Sequence, residues 1–299
     1  MSSESAARLR IATVSDLHTD FPENREALVK LAVAIHHRGA DLVVVAGDVS
    51  HRFDRVDRAL RAFREVAPRV AYVPGNHEMW FDVPFARVRP ELDSWQRYRA
   101  DLRKVAEDAG AHYLPAGPLI LGEVAIAGTC GWYDYSLMLP AYRTQVGLEA
   151  LEAKQFGGVM WSDLRYVAFR HPDGRLMTDP EVAAQMEFDL SRQLEQLDAD
   201  PTVEEIVVVT HHQPFSEIVH RTGTLPWEYF NAFMGSAGLG ETIIGSAKVR
   251  TAVYGHTHLI GSFDVRGIRV FGTALGYPRE RRGLDDEALA RTRIGWIER

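Results

Sequence analysis

Five short runs rich in Val, Ile and Ala each end directly in residue types that bind metals. Residues 9–15 (LRIATVS) lead into Asp16-Leu17-His18, and 42–46 (LVVVA) into Gly47-Asp48. Residues 69–73 (RVAYV) lead into Pro74-Gly75-Asn76-His77-Glu78. Residues 205–210 (EIVVVT) lead into His211-His212, and 250–254 (RTAVY) into Gly255-His256-Thr257-His258. Runs this uniformly apolar suit strands buried on both faces. In open α/β sheets, sites assemble at the carboxyl ends of such strands.

Helical patterns alternate with these strands over about 23–37, 54–66, 92–109 and 181–197. In the first, Ala27, Leu28, Leu31, Ala34 and Ile35 keep the spacing of one buried helix face. Asp179-Pro180 reads as a cap and Pro start for the helix at 181. Residues 119–128 read as two short strands about Gly122, and 261–266 with 268–273 as a pair about Gly267. No repeat, low-complexity tract or linker divides the chain, so one domain over 1–299 is expected. Two segments fit the alternation poorly. Residues 131–178 carry Trp132, Tyr133, Tyr135, Trp161, Tyr166 and Phe169, and 213–240 carry Phe215, Trp227, Tyr229 and Phe230. They read as loop or cap insertions, either binding loops or segments packed down by their aromatics.

Charge narrows the function. The 299 residues carry a net charge of −7 with a pI near 6.0, which argues against a protein that tracks nucleic acid. A small phosphate substrate is not excluded, because bound cations set the local charge. The single cysteine, Cys130, rules out an internal disulfide and suits a reducing cytoplasm. It reads as a small buried apolar residue. No signal-type stretch or membrane span is evident, so a cytoplasmic protein is expected. The sequence leaves oligomeric state open.

The spacing has a physical sense. In extended chain, residues i and i+2 point the same way, so Asp16 with His18, and His256 with His258, can address one point or two adjacent ones. Glycines 47, 75 and 255 let the backbone turn sharply close to the site. Oxygen and imidazole ligands suit Mn, Fe, Zn, Co or Ni, and the absence of cysteine among them excludes a structural zinc–thiolate site.

The ordered set D-x-H, G-D, G-N-H-[DE], H, G-H-x-H resembles the calcineurin-like metallophosphoesterase superfamily, from Asp16 to His258. The resemblance implies an α/β fold, a four-layer α/β/β/α sandwich of two mixed sheets flanked by helices. It implies two divalent or trivalent metal ions, with Mn, Fe and Zn foremost. Asp16, His18, Asp48 and His258 would hold the first metal; Asp48, Asn76, His211 and His256 would hold the second. Asp48 would bridge cations about 3.5–4 Å apart. The family ligand aligns to His211, directly after its strand, or to its neighbour His212, which would otherwise face substrate.

The reaction expected is hydrolysis of a small phosphomonoester or phosphodiester by metal-bound hydroxide, with His77 as general acid. Glu78 would orient His77, or serve as a first-turn helix carboxylate. His51 and Arg52, just past Asp48, are candidate phosphate contacts, as are His220 and Arg221. Competing readings are a protein Ser/Thr phosphatase, a nuclease, and a non-catalytic scaffold. Glu78 and Arg52 faintly match the Ser/Thr phosphatase motifs. However, His51, Phe53 and Pro74 stand where those motifs carry Asp, Gly and Arg.

Overall fold

Alternation along the apolar strands sets the layering. The computed structural model describes residues 9–299. Its first half contains β1 (Arg10–Val14), α1 (Pro22–Arg38), β2 (Leu42–Ala46), α2 (Phe53–Val66) and β3 (Val70–Val73). A helical run follows: α3 (Ser94–Gln96), a π-helical turn over Arg97–Asp101, and α4 (Leu102–Asp108). Next come β4 (His112–Tyr113), β5 (Leu119–Leu121) and β6 (Val124–Thr129). The segment after β6 holds α5 (Pro140–Val146), α6 (Leu148–Glu152), the hairpin β7 (Gln155–Phe156)–β8 (Val159–Met160), α7 (Asp163–Tyr166) and α8 (Asp179–Ala199). The remainder is β9 (Glu205–Thr210), α9 (Leu225–Asn231), α10 (Ala237–Gly245), β10 (Val249–Tyr254), β11 (Gly261–Val265), β12 (Ile268–Gly272), α11 (Asp286–Arg293) and β13 (Gly295–Glu298).

One sheet has the order β13-β1-β2-β3-β4 and the other β11-β12-β10-β9-β6-β5. Both are mixed: β1, β2, β3 and the edge strand β4 run parallel, as do β6, β9, β10 and β12, while the edge strands β13, β11 and β5 are antiparallel. Leu42, Val44 and Ala46 of β2 pack with Val207 and Val209 of β9 between the sheets. The intervening Val43 and Val45 face α1 and α2. Ile206 and Val208 face Leu190 and Leu194 of α8 and Ile243 of α10. Every β2 residue is thus buried, which is why its sequence shows no polar alternation. The result is the expected four-layer α/β/β/α sandwich.

Several local expectations are adjusted. The cap of α8 is Thr178, not Asp179: Thr178 and Glu181 form a reciprocal capping box. Asp179 instead turns inward to accept from Trp132 Nε1, the Tyr135 hydroxyl and Lys154 Nζ. The helix expected over 92–109 is interrupted by its π turn, where Arg97 donates to the carbonyls of Glu78 and His51. Segments 131–178 and 213–240 contain short helices and a hairpin, and Trp132, Tyr133 and Tyr135 are core residues. Cys130 is buried and free, as expected. Among the described residues no helix is long and apolar enough to cross a membrane.

Candidate metal centre

The parallel strands of both sheets deliver their following loops to one place. Asp16 and His18 follow β1, Asp48 follows β2, Asn76 and His77 follow β3, His211 follows β9, and His256 and His258 follow β10. Cross-strand hydrogen bonds fix these loops. The Asp16 N–H donates to the Gly47 carbonyl and the His18 N–H to the Asp48 carbonyl, both at 2.9 Å. The Gly255 N–H donates to the His211 carbonyl at 3.0 Å. A side chain at Gly75 would run into the Asp48 carboxylate, and one at Gly47 would meet His211 Nδ1 at 2.5 Å. Those two glycines therefore answer to close approach.

Backbone strain concentrates here. Asp16, His18, Asp48, His256 and His258 all have positive φ, between 40° and 66°. Non-glycine residues held in that region cost on the order of 1–3 kcal/mol each, and such strain clusters at functional sites.

The side chains converge in two groups linked by a third. Asp16, His18 and His258 form one: His18 Nε2 lies 3.0 Å from His258 Nε2, which is 3.5 Å from Asp16 Oδ1. Asp48, His211 and His256 form the other, with His211 Nε2 3.3 Å from Asp48 Oδ1. Asn76 Oδ1 sits 3.3 Å from His211 Nε2 and 3.1 Å from His256 Nδ1. Asp48 also shares a group with His18 and His77. The seven residues singled out as ligands in the sequence are thus brought together. They are oxygen and imidazole donors whose lone pairs face inward, with no Lys or Arg among them, and that set fits borderline divalent cations.

The electrostatics reflect this crowding. Burial raises Asp16 above the usual carboxylate range. Burial also opposes ionisation of Asp48, but His211, His77 and His18 outweigh it and hold Asp48 well below that range. For His211, burial works against the charge and Asp48 outweighs it, lifting the ring to about 9. Burial, reinforced by His211, pulls His256 down to about 3.

Neighbouring groups set the ring orientations. The Ala46 carbonyl lies 2.9 Å from His211 Nδ1, leaving Nε2 toward the centre. His212 lies behind it, buried against Trp132, Tyr133 and His256, with Nδ1 near the Cys130 carbonyl. His77 stacks on Trp80 at 3.8 Å between ring centroids, and its Nε2 is 3.7 Å from Asp48 Oδ2. Of the two roles expected of it, Glu78 is the first-turn carboxylate, in the 3₁₀ turn His77–Met79. It reaches back to accept from the N–H groups of Asp48, Val49, Ser50 and Gly75 at 2.5–3.2 Å, and does not pair with His77. Burial and the nearby Asp48 push it up to about 7. His51 bridges Asp20 and Asp82 at 3.3 Å each. Arg52 is exposed, paired with Asp54, and turned into a separate groove with Arg25, Arg55 and Arg58. Arg221 is tied to Glu228.

Three residues at the site carried no motif. Glu280 Oε2 is 2.7 Å from His258 Nδ1, and Tyr277 stacks on His18 at 4.6 Å. Asp163 accepts from Asn76, Trp80, Tyr133 and Trp161. The only sequence signal for it was its place in an aromatic-rich insertion.

Two clefts open from the centre, and Tyr277 lines both. One, of about 510 Å³, runs past His256 and His258 between Trp161, Trp227, Phe230 and Met234. The other, of about 710 Å³, runs past His18, His51 and His77 toward Arg279 and Arg282.

A sandwich of two sheets with this ligand array at its strand ends is that of the calcineurin-like phosphoesterases. Their sequence pattern matches residues 9–259, and the chain belongs to that family. It is a metal-dependent phosphoric ester hydrolase, and its His/Asp clusters fit the family's two divalent metal ions. Within the family, the chain is similar to [acyl-carrier-protein] phosphodiesterase PptH of Mycobacterium tuberculosis. The two are 27% identical over 275 residues, 90% of this chain and 78% of that protein. It also resembles the crystal structure of phosphopantetheinyl hydrolase (PptH) from the same organism, with a TM-score of 0.72 at 21% identity. That match covers 97% of this chain and 96% of the other and shows a shared fold.

Proposed function

We propose that the chain, acting as one domain, is a phosphodiesterase whose substrate is a phosphopantetheinyl diester of a carrier protein. The observation that carries the diester reading is the pair of clefts either side of Tyr277. A diester has two arms to place, and each cleft meets the metal centre. The relative's activity supplies the identity of the arms. This sharpens the expectation of a small phosphate ester toward a substrate with one large alcohol.

In this reading Asp16, His18, Asp48 and His258 hold one cation, and Asp48, Asn76, His211 and His256 the other. His211 takes the role rather than His212, because its Nε2 faces Asp48 and His212 is packed behind. Two divalent cations supply a low pKa for water and neutralise charge on the phosphoryl oxygens. The donor set suits Mn, Fe or Zn. His77 gives its proton to the departing alkoxide, and Trp80, flat against the ring, holds it in place. The leaving alcohol then lies in the His77 cleft, with His51 at its mouth. The retained arm lies in the aromatic cleft, which has no Lys or Arg in its lining and suits an uncharged, amide-bearing arm. The cytoplasm is the compartment the lone Cys130 suits.

Metal-free protein reloaded with Mn, Fe, Zn, Co or Mg should be assayed on matched phosphomonoesters and phosphodiesters, including a phosphopantetheinyl-serine peptide. Faster turnover of diesters, with release of a phosphorylated pantetheine arm and the peptide with its serine hydroxyl restored, is expected. Turnover of monoesters alone would overturn the reading.

A further inference from the structure

The buried carboxylate of Asp163 receives four hydrogen bonds. Asn76 Nδ2 and Trp80 Nε1 donate to Oδ1 at 3.0 and 2.6 Å. The Tyr133 hydroxyl and Trp161 Nε1 donate to Oδ2 at 3.0 and 2.8 Å. Asp163 is 1% exposed, and no cation pairs with it among the described residues. A carboxylate that gives up water is retained only when its oxygens are fully bonded, and here neutral donors do the bonding. Four donors gathered on one buried side chain ask what it holds in place.

The donors answer. Asn76 places one end of its amide on Asp163 and the other, Oδ1, between His211 and His256. Asp163 Oδ1 already accepts from the donor-only Trp80 indole, so the amide nitrogen faces Asp163 and the oxygen faces the centre. Turned over, the amide would set oxygen against oxygen and aim an N–H at the metal position. Trp80 is the indole stacked on His77, and Trp161 packs edge-on to His256 at 5.8 Å between centroids. One carboxylate therefore fixes an amide and two rings around both sides of the centre.

We propose that Asp163 is a positioning residue that locks the Asn76 amide oxygen toward the second metal. Asp163 comes from the 131–178 insertion, so the insertion is keyed into the metal centre. This rests on the assignment of Asn76 as a ligand, and the experiment separates the two.

Asp163→Asn presents an amide that can turn its own N–H toward Asn76 and release the amide there. Expected are a fall in tightly bound metal from two equivalents to one and a weakening of the second equivalent by about 10–100-fold. Asn76→Asp combined with Asp163→Asn preserves charge. It lets the new carboxylate accept from the amide with one oxygen and face the metal with the other. The exchange should restore the second equivalent, read by metal analysis and titration of metal-free protein. A role confined to packing predicts no such rescue. Two tightly bound equivalents in Asp163→Asn, or no gain in the exchange protein over it, overturns the proposal. Should Asp163→Asn not fold alone, the folded exchange protein is decisive: two equivalents support the proposal and fewer overturn it. Asn76→Ala with two equivalents at unchanged affinity would instead sink the ligand assignment itself.

Discussion

Glu280 Oε2 lies 2.7 Å from His258 Nδ1 and also accepts the Tyr277 N–H. One carboxylate thus fixes the tautomer of a candidate ligand and the loop that stacks on His18. Glu280→Ala should weaken metal binding by about 10–100-fold without unfolding the protein. Titration of metal-free protein tests this, and unchanged affinity would remove Glu280 from the site.

Asp48 groups with His18 and His77 on one side and with His211 and His256 on the other. Asp48→Ala should abolish activity and strip bound metal together, a larger loss than the roughly 10–100-fold of an outer-shell change. Normal metal content in that variant, measured on purified protein, would contradict a bridging role.

His77→Ala should slow diesters with poor alkyl leaving groups by roughly 10²–10⁴, and activated aryl diesters far less. Comparing kcat on the two classes is the test. Equal losses would mean that His77 does not protonate the leaving group.

Glu78 answers four buried backbone N–H groups, those of Asp48, Val49, Ser50 and Gly75. Glu78→Ala orphans buried donors and should cost about 3 kcal/mol or more in urea unfolding of the metal-free protein. A cost under about 1 kcal/mol would show that the loops hold without it.

The His51–Asp20 pair makes a pH-dependent contribution. Its bond to Asp20 raises His51 above 6.5 against the opposing effect of burial. Burial would raise Asp20, but bonds from His51 and Ser50 outweigh it and hold Asp20 below 3.8. A raised histidine stabilises fully below its unfolded value and loses that as pH rises through its folded one. A depressed carboxylate stabilises above its unfolded value and loses that as pH falls through its folded one. The gap in melting temperature between wild type and His51→Gln should therefore be widest near pH 5 and close toward pH 9. It should correspond to less than about 1 kcal/mol, as the pair is partly exposed. A flat gap across that range would rule out the pair as its source.

Much of this molecule was legible in its chain. The strands were visible because burial on both faces removes polar alternation, as in Leu42–Ala46. The seven inward-facing residues were visible because each follows a strand in a recognisable order. Asp163 and Glu280 were not, because a carboxylate that orients another residue needs only one contact in space and leaves no spacing behind. The pairing expected of Glu78 with His77 failed for a related reason. Its position beside His77 suggested a pair, whereas the short 3₁₀ turn His77–Met79 aims it at backbone across the β2 loop. The π turn at Arg97–Asp101 left no local signal; what accompanies it is tertiary, the reach of Arg97 to the carbonyls of Glu78 and His51.

The strand β13 pairs along β1, joining Ile11 to Ile297 and Ala12 to Trp296. The family's sequence pattern stops at residue 259, short of β12, Tyr277, Glu280 and β13. A piece trimmed to that boundary would leave β1 as a bare sheet edge, the kind of surface on which chains aggregate. It would also strip the partners from His18 and His258. Anyone dissecting this enzyme should place the cut by hydrogen bonds rather than by alignment.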